Sequence, residues 1–156
     1  MTIKSITPFL WFDKEAGEAA QYYLSLFPDA RILDTSYYGK FMPEREGSVM
    51  AVDMEIAGQR VTLLNAGAHY KLSPAFSFLV NCEDQAEIDR LWEKLGDGGH
   101  YSMCGWLTDK FGVTWQINYA GIPELMTGGK SDKVMEAMMT MQKIDIQRLK
   151  DAARPA

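Results

Sequence analysis

The sequence lacks the features typical of three classes of protein: disulfide-rich proteins, nucleic-acid-binding proteins and membrane proteins. Its two cysteines, Cys82 and Cys104, are too few for a disulfide framework and fit a reducing compartment. Its net charge of −5 argues against a nucleic-acid partner, because binding to phosphates needs basic surface. No run of about 18 apolar residues is present, so we expect no membrane span. The first residues also lack the pattern of a signal peptide. These absences predict a soluble, cytoplasmic protein.

The chain does contain enough apolar material for a sizeable core. Of its 156 residues, 47% are hydrophobic and 12% are aromatic, a composition that excludes disorder over most of the length. The length is that of one domain or of two small modules that share a core.

The first half of the chain has the pattern of one strand, one helix and then three strands. Residues 3–12 are rich in β-formers, and Pro8 among them indicates a sheet edge or a bulge. Apolar residues then recur at helical spacing from residue 16 to residue 27, between a predicted N-cap at Asp13 and the helix-ending Pro28. Three β-like segments follow at residues 30–38, 48–56 and 59–65, and the last two are joined by the tight-turn pair Ala57-Gly58.

The second half repeats this order. A strand at residues 75–82 precedes a capping box, Asp84 with Glu87, that predicts a helix ended by glycines at 96–99. Strands follow within residues 100–108 and 113–118. We therefore predict an α+β fold of two βαβββ modules, residues 3–66 and 75–119, forming one cupped mixed sheet around a cavity. The modules make up a domain of residues 1–120, and residues 121–156 form a helical extension.

Three segments carry a resemblance to a known family. They are ITPFLWF at residues 6–12, CGWLTDKFGVTWQ at 104–116 and MMTMQKIDI at 138–146. With the repeated βαβββ order, they resemble the glyoxalase, or vicinal-oxygen-chelate, superfamily. Within it the match is to the PhnB-like branch, whose domain is labelled 3-demethylubiquinone methyltransferase-like. The resemblance covers nearly the whole chain and implies the two-module fold and a homodimer.

The methyltransferase label implies a methyl donor that carries adenosine. Proteins usually hold such a donor with a glycine-rich loop between a strand and a helix. Here the glycine-rich segment 96–99 follows a helix, so we interpret it as the turn that ends that helix. We expect no cofactor of this kind.

The resemblance also implies positions for a divalent metal. Carried over residue by residue, these positions are Pro8, near Thr62, Ala75 or Phe76, and Gln116. Only Gln116 could coordinate, and an amide is a weak ligand for Zn²⁺ or Fe²⁺. A shift in register would bring in Asn65 or Asn118, which are also amides. The two histidines, His69 and His100, fall in connectors or turns. We therefore predict no catalytic metal.

Five residues are the candidates for ligand binding: Gln116, Asn65, Trp106, Trp11 and Cys104. The two amides are expected as polar anchors, or alternatively as partners of backbone groups at strand ends. Trp11 faces away from Leu10 and Phe12. Trp106 and Trp115 are expected on one face, lining the cavity or packing under a helix. Cys104 is a weak candidate nucleophile, with packing as the alternative.

These expectations favour a protein that binds a small apolar or aromatic molecule in the cavity between the modules, without a catalytic metal. Three alternatives stay open: a metal-dependent isomerase, lyase or dioxygenase, an enzyme that uses Cys104, and a purely structural interaction module. Fold alone does not choose among them. The methionine-rich segment 133–143 has a broad apolar surface, which predicts a homodimer interface or packing on its own sheet.

Overall fold

A computed structural model describes residues 2–155 of the chain. The chain divides into two compact units, one ending at Leu72 and the other beginning at Ser73. Each unit contains one βαβββ module.

The first unit is a four-stranded mixed sheet with one helix. Its strands are β1 (Phe9–Phe12), β2 (Arg31–Tyr37), β3 (Val49–Ile56) and β4 (Gln59–Asn65), in the spatial order β1-β4-β3-β2. Strand β1 runs parallel to β4, and the other pairs are antiparallel. Helix α1 (Ala16–Leu26) follows β1, and a single 3₁₀ turn at Pro43–Arg45 lies between β2 and β3.

The start of this unit differs from the sequence prediction for a physical reason. Strand β1 begins at Phe9 rather than at residue 3, because Pro8 has no N–H for a ladder bond. The carbonyl of Pro8 still accepts a bond from the Thr62 N–H at 3.0 Å. Asp13 was predicted as the N-cap of α1, but the cap residue is Glu15. The Asn65 side chain satisfies the first helical N–H, that of Ala16, at 2.8 Å.

The second unit repeats the arrangement. Its strands are β5 (Phe78–Cys82), β6 (His100–Tyr101), β7 (Trp106–Thr108) and β8 (Thr114–Tyr119), in the order β5-β8-β7-β6, with α2 (Gln85–Gly96) after β5. The predicted cap of α2 is confirmed, because the Asp84 carboxylate accepts the Glu87 N–H at 2.9 Å. The predicted helix end is also confirmed: α2 stops at Gly96, and Gly98 has a φ of +78°.

The hairpin between β7 and β8 corrects the predicted placement of two tryptophans. Trp106 pairs with Gln116, whereas Trp115 pairs with Leu107. Trp106 and Trp115 therefore lie on opposite faces of the sheet, and the expectation of one shared face is wrong. The loop that joins the strands has five residues, 109–113, whereas the predicted strand ends at residues 108 and 113 leave four. The extra residue shifts the register by one position.

Asp109 holds this loop together. Its buried carboxylate accepts the backbone N–H groups of Phe111 at 2.9 Å and Val113 at 3.0 Å. It also accepts the indole N–H of Trp115 at 2.9 Å. One charged acceptor thus satisfies three donors next to the core.

The C-terminal helices belong to the second unit. They are α3 (Ile122–Leu125), α4 (Ser131–Met139) and α5 (Ile146–Ala152). The buried residues of these helices and of the segment between α4 and α5 include Val134, Met138, Met141, Ile144 and Leu149. Gln85 of α2 joins them to the module: its amide donates to the Ile144 carbonyl and accepts the Ile146 N–H. Hydrogen bonds from Gln85 and Lys143 lower the pKa of Asp89. Met135 and Met139 face outward, 44% and 64% exposed.

The α+β class, the two βαβββ modules and the C-terminal helices are confirmed. Within the described residues, the ladder bonds make two four-stranded sheets, one per module, where the sequence predicts one cupped mixed sheet. In these ladders the strands of each module bond to strands of the same module, and the edge strands are β1 and β2 in the first sheet and β5 and β6 in the second.

Candidate functional site

One face of the second sheet brings together the best-placed site residues. Trp106, Gln116 and Leu79 lie side by side in one row across β7, β8 and β5. Their neighbours in sequence on the other face, Leu107 and Trp115, are buried. Trp106 is half-buried and Leu79 is 51% exposed, so this row forms an apolar surface with one amide at its centre.

Polar side chains flank this row on both sides. The Gln116 amide nitrogen donates to the Ser77 hydroxyl at 3.0 Å, which orients the amide. Asn118 and Asn81 are paired in the next register positions, with their amide groups 3.4 Å apart. Sequence reasoning missed Ser77 and Leu79. Side chains alternate between the two faces of a strand, so Ser77 and Leu79 lie on one face of β5 and the residue before it. Pairing of β5 with β8 would have placed that face beside Gln116.

The first sheet has an aromatic surface of its own. Trp11 is half-buried and its register partner is Leu64, whereas Leu10 and Phe12 are buried on the other face. The predicted alternation around Trp11 is therefore confirmed. The indole N–H of Trp11 donates to the Gly67 carbonyl at 2.8 Å, and its ring meets that of Tyr70 edge-on at 4.9 Å. These contacts fix the orientation of the indole.

The same face of the first sheet carries ion pairs at its other end. Arg60 binds Asp53 through two hydrogen bonds, and this contact lowers the pKa of Asp53. A guanidinium nitrogen of Arg31 lies 3.5 Å from a carboxylate oxygen of Glu55. This end of the face is charged, and the end near Trp11 is apolar.

Asn65 takes a different position from Gln116. It pairs with Phe12 and shares the helix side of the first sheet. Its amide oxygen accepts the Ala16 N–H at 2.8 Å, and its amide nitrogen donates to the Val49 carbonyl at 3.1 Å. Both ends of the amide thus bind backbone groups, which is the alternative role expected for it. Its role in ligand binding stays a prediction.

Cys104 lies in a tight bend beside the C-terminal helices. It has a φ of +60°, and its N–H donates to the Met141 carbonyl at 2.8 Å. Its sulfur contacts the Met139 sulfur at 3.8 Å. A thioether is not a base that could remove the thiol proton, so this contact supplies no activation. Burial raises the pKa of the other thiol, Cys82, to about 11, with added repulsion from Glu87 and Asp84.

The donor set does not fit a catalytic metal. Within residues 2–155, no three side chains of His, Cys, Asp or Glu are grouped closely enough to hold an ion. Of the positions implied by the family, Pro8 uses its carbonyl in a ladder-type bond and Gln116 binds Ser77. A hydroxyl at Thr62 and a single amide are weak ligands for Zn²⁺ or Fe²⁺.

Two βαβββ modules, each with a helix on one face of a mixed sheet, define a protein of the glyoxalase, or vicinal-oxygen-chelate, fold. A family model described as 3-demethylubiquinone-9 3-methyltransferase matches residues 4–118. The chain belongs to this PhnB-like family of the glyoxalase superfamily. Helices α3, α4 and α5 lie beyond the matched residues.

Solved structures of other proteins are similar to this chain. A PhnB protein from Bacillus cereus is 34% identical, with a TM-score of 0.66 over 72% of this chain and 97% of that chain. A protein from Pseudomonas aeruginosa is 21% identical, with a TM-score of 0.57 over 72% and 95% of the two chains. The fosfomycin resistance protein FosX from Listeria monocytogenes shares the fold, at 13% identity and a TM-score of 0.57 over 81% and 99%. No curated protein matches the chain.

Proposed function

We propose that this protein binds a small apolar or aromatic molecule on the face of the second sheet opposite α2, without a catalytic metal. The observation that carries this proposal is the row formed by Trp106, Gln116 and Leu79. An indole and an aliphatic side chain offer stacking and apolar contact, and the amide between them offers one polar anchor.

The chemistry of Gln116 supports this role. A glutamine amide has two N–H donors and an oxygen acceptor. Among the described residues, its hydrogen bond runs from the nitrogen to Ser77. The oxygen is then the group that would accept a hydrogen bond from a ligand hydroxyl or N–H. Cys104, two residues before Trp106, would lie at the end of this surface as a packing residue.

Three other activities have less support. Methyl transfer, which the family name describes, would need a site for a methyl donor, and the glycines at 96–99 end α2 instead. A metal-dependent enzyme would need stronger ligands than those present. An enzyme that uses Cys104 would need a basic group at its thiol, where Met139 lies.

Assembly and location extend the proposal. Proteins of this fold are commonly dimeric and bind small molecules, and the exposed Met135 and Met139 would supply an adaptable surface for a homodimer. Within residues 2–155, no helix is both long and apolar enough to span a membrane. We keep the cytoplasmic location that the composition predicts.

Titration with indole, a small neutral aromatic probe, tests the binding site by ¹H–¹⁵N NMR. We expect saturable shifts of the Trp106 indole and Gln116 amide signals. Gln116→Leu should weaken binding several-fold by removing the anchor, and Trp106→Ala should weaken it further. Gln59→Leu is the matched control, because Gln59 is an exposed glutamine of the first sheet. Equal effects of Gln116→Leu and Gln59→Leu, or shifts confined to other residues, would contradict the proposal.

A further inference from the structure

The first unit contains a cavity that the proposed function does not use. It has a volume of about 470 Å³ and lies beside the first turn of α1. Its lining includes Arg45, Lys14 and Tyr38, together with the carboxylates Asp13 and Glu18. All of these residues belong to the first unit, so the cavity is complete within it.

Arg45 is held in a fixed position at this cavity. Its Nη1 donates to the Tyr38 hydroxyl at 3.2 Å, and its guanidinium carbon lies 5.4 Å from the centre of the Tyr38 ring. On another side it packs against Gly67: a Cβ at that glycine would lie 2.7 Å from Arg45 Nη2. The guanidinium would therefore have to shift if residue 67 carried a side chain.

The support beneath Arg45 is also rigid. The Tyr38 side chain is buried, and its hydroxyl donates to the Asn65 carbonyl. The Asn65 amide in turn binds the backbone of α1 and β3. The guanidinium is thus connected through the Tyr38 hydroxyl and Asn65 to the backbone of α1 and β3. A side chain that is ordered without ligand loses less conformational entropy when a ligand binds.

The charge of this arginine is not neutralised by an ion pair. Arg45 is half-buried, and none of the ion pairs found in residues 2–155 includes it. A partly buried guanidinium with N–H groups left to donate is suited to a planar anion, which it binds with two parallel hydrogen bonds. The N-terminal end of α1, which is the positive end of its helix dipole, also lies at the cavity, because Gly17 and Glu18 of its first turn line it.

We propose that this cavity binds the carboxylate group of a small organic acid, with the Arg45 guanidinium as its anchor. A singly charged carboxylate is favoured over a doubly charged phosphate, because Asp13 and Glu18 line the same cavity and repel added negative charge. This site is separate from the row on the second sheet and does not depend on it.

Acetate and inorganic phosphate, titrated at constant ionic strength against chloride, test this proposal by NMR. The signals to follow are the Arg45 Nε–H and the Trp11 indole N–H, which donates to the carbonyl of Gly67. We expect saturable shifts with acetate and weaker ones with phosphate. Tighter binding of phosphate would overturn the assignment to a carboxylate, and shifts equal to those in chloride would overturn the site.

Variants identify the anchor. Arg45→Gln should weaken acetate binding at least tenfold, and Arg45→Lys should weaken it less, because lysine keeps the charge but cannot form the two parallel bonds. Arg31→Gln is the matched control: it removes the same charge from an arginine that is already paired with Glu55, and it should change binding less than twofold. Equal losses in Arg45→Gln and Arg31→Gln would show general surface attraction and reject the site. The indole titration on the second sheet should be unchanged in Arg45→Gln.

Discussion

Replacement of Asp109 by alanine should destabilise the second unit strongly. The carboxylate accepts three hydrogen bonds, from the N–H groups of Phe111 and Val113 and from the indole of Trp115. Trp115 is 1% exposed and Val113 is 2% exposed, so water cannot easily replace the lost acceptor for these two donors. At about 1–3 kcal/mol for each of these two buried donors left unsatisfied, the expected loss is about 2–6 kcal/mol.

This loss is a large fraction of the stability of a domain, which is about 5–15 kcal/mol. Urea unfolding followed by tryptophan fluorescence measures it. Hydrogen exchange at the Trp115 indole N–H gives a local readout, because that proton should lose protection in Asp109→Ala. Asp109→Asn keeps one acceptor oxygen and should lose less.

Glu136→Ala serves as the control, since it removes the same charge from an exposed position in α4. We expect it to change the free energy of unfolding by less than about 0.5 kcal/mol. If Asp109→Ala cost less than about 1 kcal/mol with Trp115 still protected, the idea that this carboxylate organises the hairpin would be refuted.

Four further predictions follow from other parts of the molecule. Cys82, with a pKa of about 11, should resist iodoacetamide at pH 8, and Cys104 should react no faster than glutathione; a faster reaction would favour the thiol enzyme. Because the pKa of Asp89 is lowered in the folded state, its stabilising effect is present above the ordinary value of 3.8 and is lost as pH falls through the folded value. Acid unfolding of Asp89→Asn should therefore depend less steeply on pH. If the protein forms the proposed homodimer, Met135→Glu with Met139→Glu should lower its mass in sedimentation to that of a monomer, and an unchanged mass would exclude this surface as the interface. Metal analysis after dialysis of untagged protein should show well under one equivalent, with no change in Tm on adding a chelator; a retained equivalent would favour the metal enzyme.

Local sequence patterns were sufficient for the order of the elements. The capping box at Asp84 and Glu87 depends on residues three positions apart, so it can be read without knowledge of the fold. The alternation of Trp11 with Leu10 and Phe12 is equally local, because successive side chains of a strand point to opposite faces. The repeated βαβββ order, confirmed in both modules, follows from signals of this kind.

Tertiary structure decided what depends on distant partners. The cap of α1 comes from Asn65, 49 residues away, and no pattern near Ala16 indicates it. The faces of Trp106 and Trp115 depend on one residue of loop length, and the buried Asp109 carboxylate sets that loop. No local sequence pattern distinguishes Arg45 from the other cations of the chain. Its fixed position arises because Tyr38 and Gly67, far apart in the chain, meet at its guanidinium. Contacts over such separations are set by packing, which composition and periodicity do not encode.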